Sequence, residues 1–135
     1  MHNRRKHPRY DIAVPVLGRV MEPDGQVRGL RADTMNVSRE GLAIAFLGGE
    51  GTIQRLRRIL SETQSVKLEV EPPTLGSTIK ATGNVRWYDV RPIAGARQYF
   101  VAGISLKRLE AEDKSKWEQF VQETARLATT EGPVA

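Results

Sequence analysis

Three arginines stand within the first nine residues of the chain, at Arg4, Arg5 and Arg9. A guanidinium group is a planar fork that can donate two parallel hydrogen bonds to a phosphate, or to the O6 and N7 acceptors of guanine. Pro8 disfavours helical backbone at His7, so we expect the arginines to curl around a partner rather than follow one helix face. Taken alone, however, such a basic terminus is more often a solvated tail.

A second polar cluster extends from Asn36 to Gly41 and includes Ser38. Short polar side chains can hydrogen-bond the edge of a ligand, and a glycine allows a flat group to approach the backbone. We predict that this cluster is a polar turn between two strands. Viewed alone, an Asx or Ser turn that only links the strands is the more common explanation.

Residues suited to catalysis or metal binding are scarce. The chain has no cysteine and only two histidines, His2 and His7, which lack metal-ligand spacing to carboxylates. The glycine-rich segment 48–52 lacks the Gly-Lys-Ser/Thr ending of a phosphate-binding P-loop. We therefore expect no metal site, no cofactor and no enzymatic activity.

Length and charge narrow the class of protein further. The 135 residues suit one domain, and 39% hydrophobic with 27% charged residues allows a modest core. The formal net charge of +5 favours an anionic partner, which could be a nucleotide, a nucleic acid, a membrane or a protein. No apolar run reaches the length of about 18 residues needed to span a membrane, and no apolar segment follows the basic N-terminus. We expect a soluble, cytoplasmic protein.

Alternation of apolar and polar residues predicts that most of the chain forms strands. The predicted strands cover residues 11–22, 27–34, 42–47, 66–70, 79–88 and 99–106. The first two should form a hairpin, because the Asp24-Gly25 pair between them accepts a positive φ.

Two segments have helical spacing instead. Thr52 is predicted to cap a short inserted helix whose apolar face consists of Ile53, Leu56, Ile59 and Leu60. This helix and the glycines before it form an insertion over 48–62 that could be a partner surface or a lid on the core. A C-terminal helix is predicted to begin at Asp113, with one face made of Trp117, Phe120, Val121, Thr124 and Leu127. We expect Trp87, Trp117 and Phe120 to be core residues where this helix packs on the barrel.

These elements predict an all-β dominated fold, a six-stranded antiparallel β-barrel with a C-terminal α-helix and a short inserted helix. The expected organisation is a flexible, arginine-rich N-terminal arm over residues 1–10, the barrel and its helix over 11–128, and a frayed tail over 129–135.

Taken together, the two polar clusters resemble the two-part signature of the PilZ family, which binds the bacterial second messenger cyclic di-GMP. The matching residues are Arg5-x-x-x-Arg9, preceded by Arg4, and Asn36-x-Ser38-x-x-Gly41. The resemblance continues through two later motifs, Gly83-x-Val85-x-Trp87 and Gly103-Ile104-x-Leu106. It implies a six-stranded barrel with a C-terminal helix, in agreement with the periodicity.

The resemblance also implies a cyclic di-GMP site made of Arg4, Arg5, Arg9, Asn36, Ser38 and Gly41. The arginines of the motif would hold the phosphates and the Hoogsteen edge of guanine, and the second cluster would meet a guanine and its attached backbone. An arginine just before the motif, here Arg4, is associated in the family with an intercalated pair of ligands. Asn36 stands where the family commonly has Asp, which keeps an oxygen acceptor but removes a carboxylate.

The leading hypothesis is a non-enzymatic cyclic di-GMP receptor in which the ligand orders the N-terminal arm against the barrel and creates a surface for an unknown downstream protein. One alternative is a PilZ-like interaction adaptor with weak or no nucleotide binding, which retention of the signature residues disfavours. The other is a barrel that binds RNA or single-stranded DNA. Such sites pair basic residues with exposed aromatics, for which the candidates here are Tyr10, Trp87, Tyr88, Tyr99 and Phe100, and we expect no nucleic acid partner.

Overall fold

Seven β-strands and two α-helices make up the described part of the chain. The computed structural model describes residues 8–21, 25–73, 75–93 and 97–130. In chain order the elements are β1 (Tyr10–Asp11), β2 (Pro15–Met21), β3 (Val27–Ser38), β4 (Gly41–Gly49), α1 (Glu50–Glu62), β5 (Ser65–Val70), β6 (Ile79–Pro92), β7 (Arg97–Arg108) and α2 (Ala111–Thr130). Most of the predicted arm and of the predicted tail lies outside the described residues. Within those residues, no helix has the length and apolar character needed to cross a membrane.

Six of the strands close into an antiparallel barrel. Around the ring they follow the order β3, β2, β5, β6, β7 and β4, and β4 returns to pair with β3. β1 lies outside this ring and pairs with β3. Closure satisfies the backbone groups that would otherwise form an exposed sheet edge. The predicted six-stranded antiparallel barrel with a C-terminal helix is therefore confirmed.

Alternating side chains fill the interior of the barrel, and α1 covers it. Val16, Gly18 and Val20 of β2 are buried, whereas Leu17 is half-buried and Arg19 is exposed. Leu56 and Leu60 of α1 line the same apolar interior as Val20 and the inward-facing residues of β5 to β7. The predicted apolar face of the inserted helix is confirmed, because all four of its residues are buried.

The start of α1 differs from the prediction. The helix begins at Glu50, directly after β4, and Gly49 occupies the N-cap position in an extended conformation without a side-chain cap. The prediction that Thr52 caps the helix is therefore wrong, whereas the predicted inserted helix is confirmed, since the 13 residues of α1 lie within the insertion over 48–62. The reason is that β4 runs straight into α1, so no loop residue is needed to begin the helix.

Helix α2 packs on the barrel through its first four turns. Trp117, Phe120, Val121 and Thr124 are buried as predicted. Leu127 is 47% exposed, so its assignment to the buried face is wrong. A helix of 20 residues is about 30 Å long, and up to Leu127, the last residue of α2 whose burial is described, Thr124 is the final buried one. The helix begins at Ala111, and the carboxylate of Asp113 accepts a hydrogen bond from the backbone N–H of Lys80 at 3.0 Å, which attaches its first turn to β6.

A buried threonine divides the first predicted strand in two. The segment 12–14 between β1 and β2 departs from regular pairing, and Thr34 of β3 satisfies its backbone. The Thr34 hydroxyl accepts a hydrogen bond from Val14 N–H at 2.9 Å and donates one to the Ile12 carbonyl at 2.5 Å. Thr34 N–H donates to the Val14 carbonyl at 2.9 Å. These bonds hold the chain before β2 against β3.

We expect Thr34→Val to lower the free energy of unfolding by about 1–3 kcal/mol, because it leaves the Val14 N–H buried without an acceptor. Urea denaturation of the two proteins measures the change. Thr34→Ser is the matched control, since it keeps the hydroxyl and should be less destabilising. Equal stability of Thr34→Val and the wild type would contradict the role assigned to this hydroxyl.

Candidate functional site

Pairing of β1 with β3 brings the N-terminal segment to the second polar cluster. Tyr10 pairs with Val37 and Asp11 with Asn36. Continuing this antiparallel register by one residue places Arg9 beside Ser38. Arg9 is half-buried and lines a groove together with Ser38 and Gly41. One arginine of the predicted site thus meets the second cluster, whereas Arg4 and Arg5 lie outside the described residues.

The second cluster is a tight hairpin rather than the predicted six-residue turn. β3 continues to Ser38 and β4 begins at Gly41, so the turn consists of Arg39 and Glu40 alone. Asn36 pairs with Ala43, and Ser38 pairs with Gly41. Since strand side chains alternate with a period of two, Asn36 and Ser38 share the outer face of the barrel. The correction has a physical cause: pairing with β4 on one side and β1 on the other keeps these residues extended.

The side chains of the cluster differ in their hydrogen bonding. Ser38 is buried, and its hydroxyl donates to the Gly41 carbonyl at 3.4 Å across the hairpin. Asn36 is half-buried, and its Oδ1 is buried without a hydrogen-bond partner among the described residues. A buried oxygen without a partner costs free energy that a donor could recover. Asn36 is not one of the groove-lining residues, so this member of the predicted site is not brought into the groove.

Gly41 is required by the fold itself. A Cβ at this position would overlap the carbonyl oxygen of Ile104 on β7, with which β4 pairs. The turn is also attached to β7, because Leu106 N–H donates to the Glu40 carbonyl at 2.9 Å. The glycine of the signature thus permits the close approach of β4 and β7.

Helix α2 fixes the hairpin from the other side. The indole N–H of Trp117 donates to the carbonyls of Ser38 and Arg39, at 3.0 and 3.2 Å. Trp117 is buried and its ring meets Phe120 edge-on at 5.6 Å between centroids, so the prediction that both belong to the core is confirmed. The hydrogen bond to the signature turn was not predicted, because nothing in the local sequence pairs residue 117 with residue 38.

Trp87 occupies a different place from the one predicted. It is 44% exposed, so its assignment to the core is wrong. Trp87 pairs with Gly103, and a Cβ at Gly103 would overlap its indole ring. The cause is a β-bulge between Val85 and Trp87, which changes the alternation of β6 and turns Trp87 to the outer face of the barrel.

The groove on this face has a volume of about 350 Å³ and combines cations, small residues and one aromatic ring. Its lining includes Arg9, Ser38, Gly41, Arg86, Trp87 and Gly103. Glu40 contributes a carboxylate at its rim. Small-molecule sites commonly occupy about 300–1,000 Å³. Arg86 was not predicted from the sequence. Its only signal was its place next to Trp87 in the motif Gly83-x-Val85-x-Trp87.

The structural class follows from these features. The protein is a small closed barrel with a candidate binding site on its outer wall, next to a strand that pairs outside the ring. The family model of the PilZ domain matches residues 3–123 of the sequence. Because the match covers most of the chain, the protein belongs to the PilZ domain family. No curated protein matches the sequence.

Solved structures share this fold. The PilZ domain of YcgR from Escherichia coli, solved with c-di-GMP, is 12% identical with a TM-score of 0.67, and the match covers 96% of this chain and 97% of that chain. The complex of MrkH from K. pneumonia with c-di-GMP is 14% identical with a TM-score of 0.69, covering 98% and 57%. The inhibitor of motility MotI (DgrA) from Bacillus subtilis is 16% identical with a TM-score of 0.58, covering 97% and 54%. The chain thus spans little more than half the length of the MotI and MrkH chains.

Two glycine substitutions should separate a backbone collision from a side-chain collision. We expect Gly41→Ala to lower the free energy of unfolding by about 2–3 kcal/mol, because its Cβ meets the Ile104 carbonyl, and Gly103→Ala by less than about 1 kcal/mol, because the exposed indole of Trp87 can turn away. Urea denaturation measures both values. Gly103→Ala should also shift the fluorescence emission of Trp87, whereas buried Trp117 stays as a constant background. Equal losses of stability would contradict a collision between a Cβ at Gly41 and the Ile104 backbone.

Proposed function

We propose that this PilZ domain is a receptor for cyclic di-GMP, which binds in the groove beside Asn36. PilZ domains are receptor or effector domains, and the YcgR and MrkH structures that share the fold were solved with c-di-GMP. One observation on this chain carries the proposal. The register of β1 against β3 places Arg9 beside Ser38, so that parts of both signature motifs line one groove.

The chemistry of the groove suits a guanine dinucleotide. Cyclic di-GMP has two negative phosphates, and each guanine offers N7 and O6 as acceptors on its Hoogsteen edge. Arg9, with Arg5 from the preceding segment, would satisfy both through forked hydrogen bonds, in a way that lysine cannot. The unpartnered Oδ1 of Asn36 is buried, and it would accept from the N1 and N2 donors of a guanine once the side chain turns toward the ligand. The hairpin floor at Ser38 and Gly41 would leave room for the ligand backbone.

Two residues outside the signature extend this proposed site. Arg86 lines the same groove as Arg9 and would supply a second positive charge for a phosphate. Trp87 presents an indole ring at the surface, where a guanine could stack on its exposed face. Gly103 keeps this ring close to the barrel wall, because the ring occupies the space that a Cβ would fill.

Binding would couple the N-terminal segment to the barrel. Arg9 already lies against β3, so ligand contacts by Arg4 and Arg5 would attach the chain before it to the same wall. A downstream protein would bind the surface that results. The strength of this coupling is limited by the difference in ligand affinity between the protein with its N-terminal segment attached to the barrel and the protein with that segment detached.

Calorimetric titration of cyclic di-GMP tests the proposal. We expect the wild type to bind, and Arg9→Ala and Asn36→Ala each to weaken binding by about tenfold or more, because each removes a hydrogen bond to a charged or buried group. Arg57→Ala on the exposed face of α1 is the matched control and should bind as the wild type does. Higher salt should weaken wild-type binding, since phosphate contacts are screened.

Absence of heat and of a thermal shift in the wild type would reject the receptor and favour the protein-interaction adaptor. Equal weakening in Arg57→Ala and Arg9→Ala would show that binding depends on overall charge rather than on this groove.

The number of ligands tests the role proposed for Arg4. If Arg4 supports an intercalated pair, the wild type should bind about two ligands and Arg4→Ala about one, because the arginine that neutralises the second pair of phosphates is lost. The calorimetric stoichiometry measures this ratio. An unchanged ratio in Arg4→Ala would remove this residue from the site.

A further inference from the structure

The outer wall formed by β2, β5 and β6 has a groove that is separate from the signature site. Its volume is about 510 Å³, and it includes the end of β7 and the start of α2. Four cations line it, Arg19, Lys67, Lys80 and Arg108, and we call this surface the basic wall. None of them takes part in the groove that contains Arg9 and Trp87.

The register of the sheet aligns three of these cations in one row. Arg19 pairs with Lys67, Lys67 with Thr82, and Thr82 with Arg108. These residues belong to β2, β5, β6 and β7, which are consecutive in the barrel. Neighbouring strands are about 4.8 Å apart, so the row is about 14 Å long. Like charges directly opposite each other, as at Arg19 and Lys67, destabilise a sheet, and an anionic partner would relieve that repulsion.

The neighbouring acids neutralise only part of this charge. Glu69 forms an ion pair with Arg19 at 2.9 Å, and Asp113 is engaged with the Lys80 backbone N–H. Within the described part of the chain, Lys67, Lys80 and Arg108 form no ion pair. The basic wall therefore carries four cations against three carboxylates, those of Glu69, Glu110 and Asp113, which leaves an excess of one positive charge.

An apolar patch continues the basic wall at the end of the β2–β3 hairpin. Met21 and Val27 are cross-strand partners, and each is 60% exposed. They line a second groove, of about 500 Å³, together with Arg19 and Lys67. Because both grooves share these two cations, the charged and apolar parts form one continuous surface.

We propose that this surface is a docking site for an acidic segment of a protein partner, with apolar residues of that segment seated on Met21 and Val27. Acidic side chains match the unpaired cations, and exposed apolar side chains next to a charged groove are typical of protein interfaces. The carboxylates of Glu69, Glu110 and Asp113 line the same groove, so the acidic segment would place its own carboxylates on the cations and not along the whole groove. The basic groove also has no aromatic lining on which bases could stack.

This inference goes beyond cyclic di-GMP binding and does not depend on it. The proposed docking site and the ligand groove are joined through the sheet, since β6 carries both Thr82 and Trp87 and β7 carries both Arg108 and Ser105. The experiment uses the full chain without nucleotide. Failure to bind the acidic peptide would then reject the docking site alone, and failure to bind cyclic di-GMP would reject the ligand proposal alone.

An NMR titration of isotope-labelled full-length protein tests the docking site. The probe is a short synthetic peptide rich in Glu with one Leu-Ile pair, and the comparison probes are the same peptide with Lys for Glu, oligothymidine, and phosphatidylglycerol vesicles. We expect the Glu peptide to shift amide signals on β2, β5 and β6. The double variant Lys67→Glu with Arg108→Glu should weaken binding of the Glu peptide by about fivefold or more through charge reversal. The control is Arg57→Glu with Arg58→Glu on α1. It changes the net charge by the same amount and should leave peptide binding nearly unchanged.

The apolar part has its own variant. Met21→Ser should weaken the Leu-Ile peptide but not a peptide with Ser at both positions. The proposal is overturned if the shifts fall outside the basic wall, or if both double variants bind the peptide equally. Tighter binding of oligothymidine or vesicles through the same cations would assign the wall to nucleic acid or to a lipid surface instead. The substituted side chains are exposed, and thermal melts of each variant verify that it is folded.

Discussion

Strand β3 changes its pairing partner along its length, and the rest of the structure depends on that change. Residues 27–33 pair with β2, whereas Asn36 and Val37 pair with β1 on the same side of the strand. The chain between β1 and β2 must therefore cross at Thr34, where its backbone groups are buried and need hydrogen-bond partners. The hydroxyl and backbone of Thr34 supply them. Without this crossing, β2 could not belong to the barrel while Arg9 reaches the signature hairpin.

The hairpin that follows is held on three sides. β1 pairs with it at one edge, β4 and β7 approach closely at Gly41, and the indole of Trp117 binds two of its carbonyls from α2. Groups that bind a ligand through several hydrogen bonds lose less entropy when the protein has already ordered them. The C-terminal helix thus contributes to the proposed site without lining it.

The positive charge of the protein is divided between separate surfaces. Arg9 and Arg86 line the signature groove, whereas Arg19, Lys67 and Arg108 form a row farther around the barrel. Strands β6 and β7 connect the two, because each contributes residues to both grooves. A rigid closed barrel can present two binding surfaces in a constant relative position, since every strand of the ring is paired on both sides.

Local patterns in the sequence determined the fold class and half of the candidate site. Period-two alternation predicts the strands, helical spacing predicts α1 and α2, and the spacing of Arg5, Arg9, Asn36, Ser38 and Gly41 indicates the family, because these signals depend only on near neighbours in the chain. The tertiary structure decided the features that depend on which strand pairs with which. A single bulge turns Trp87 from the core to the surface, and pairing of β2, β5, β6 and β7 aligns Arg19, Lys67 and Arg108, which are up to 89 residues apart in the sequence. Register and bulges arise from long-range pairing, and a shift of one residue reverses the face of every side chain that follows.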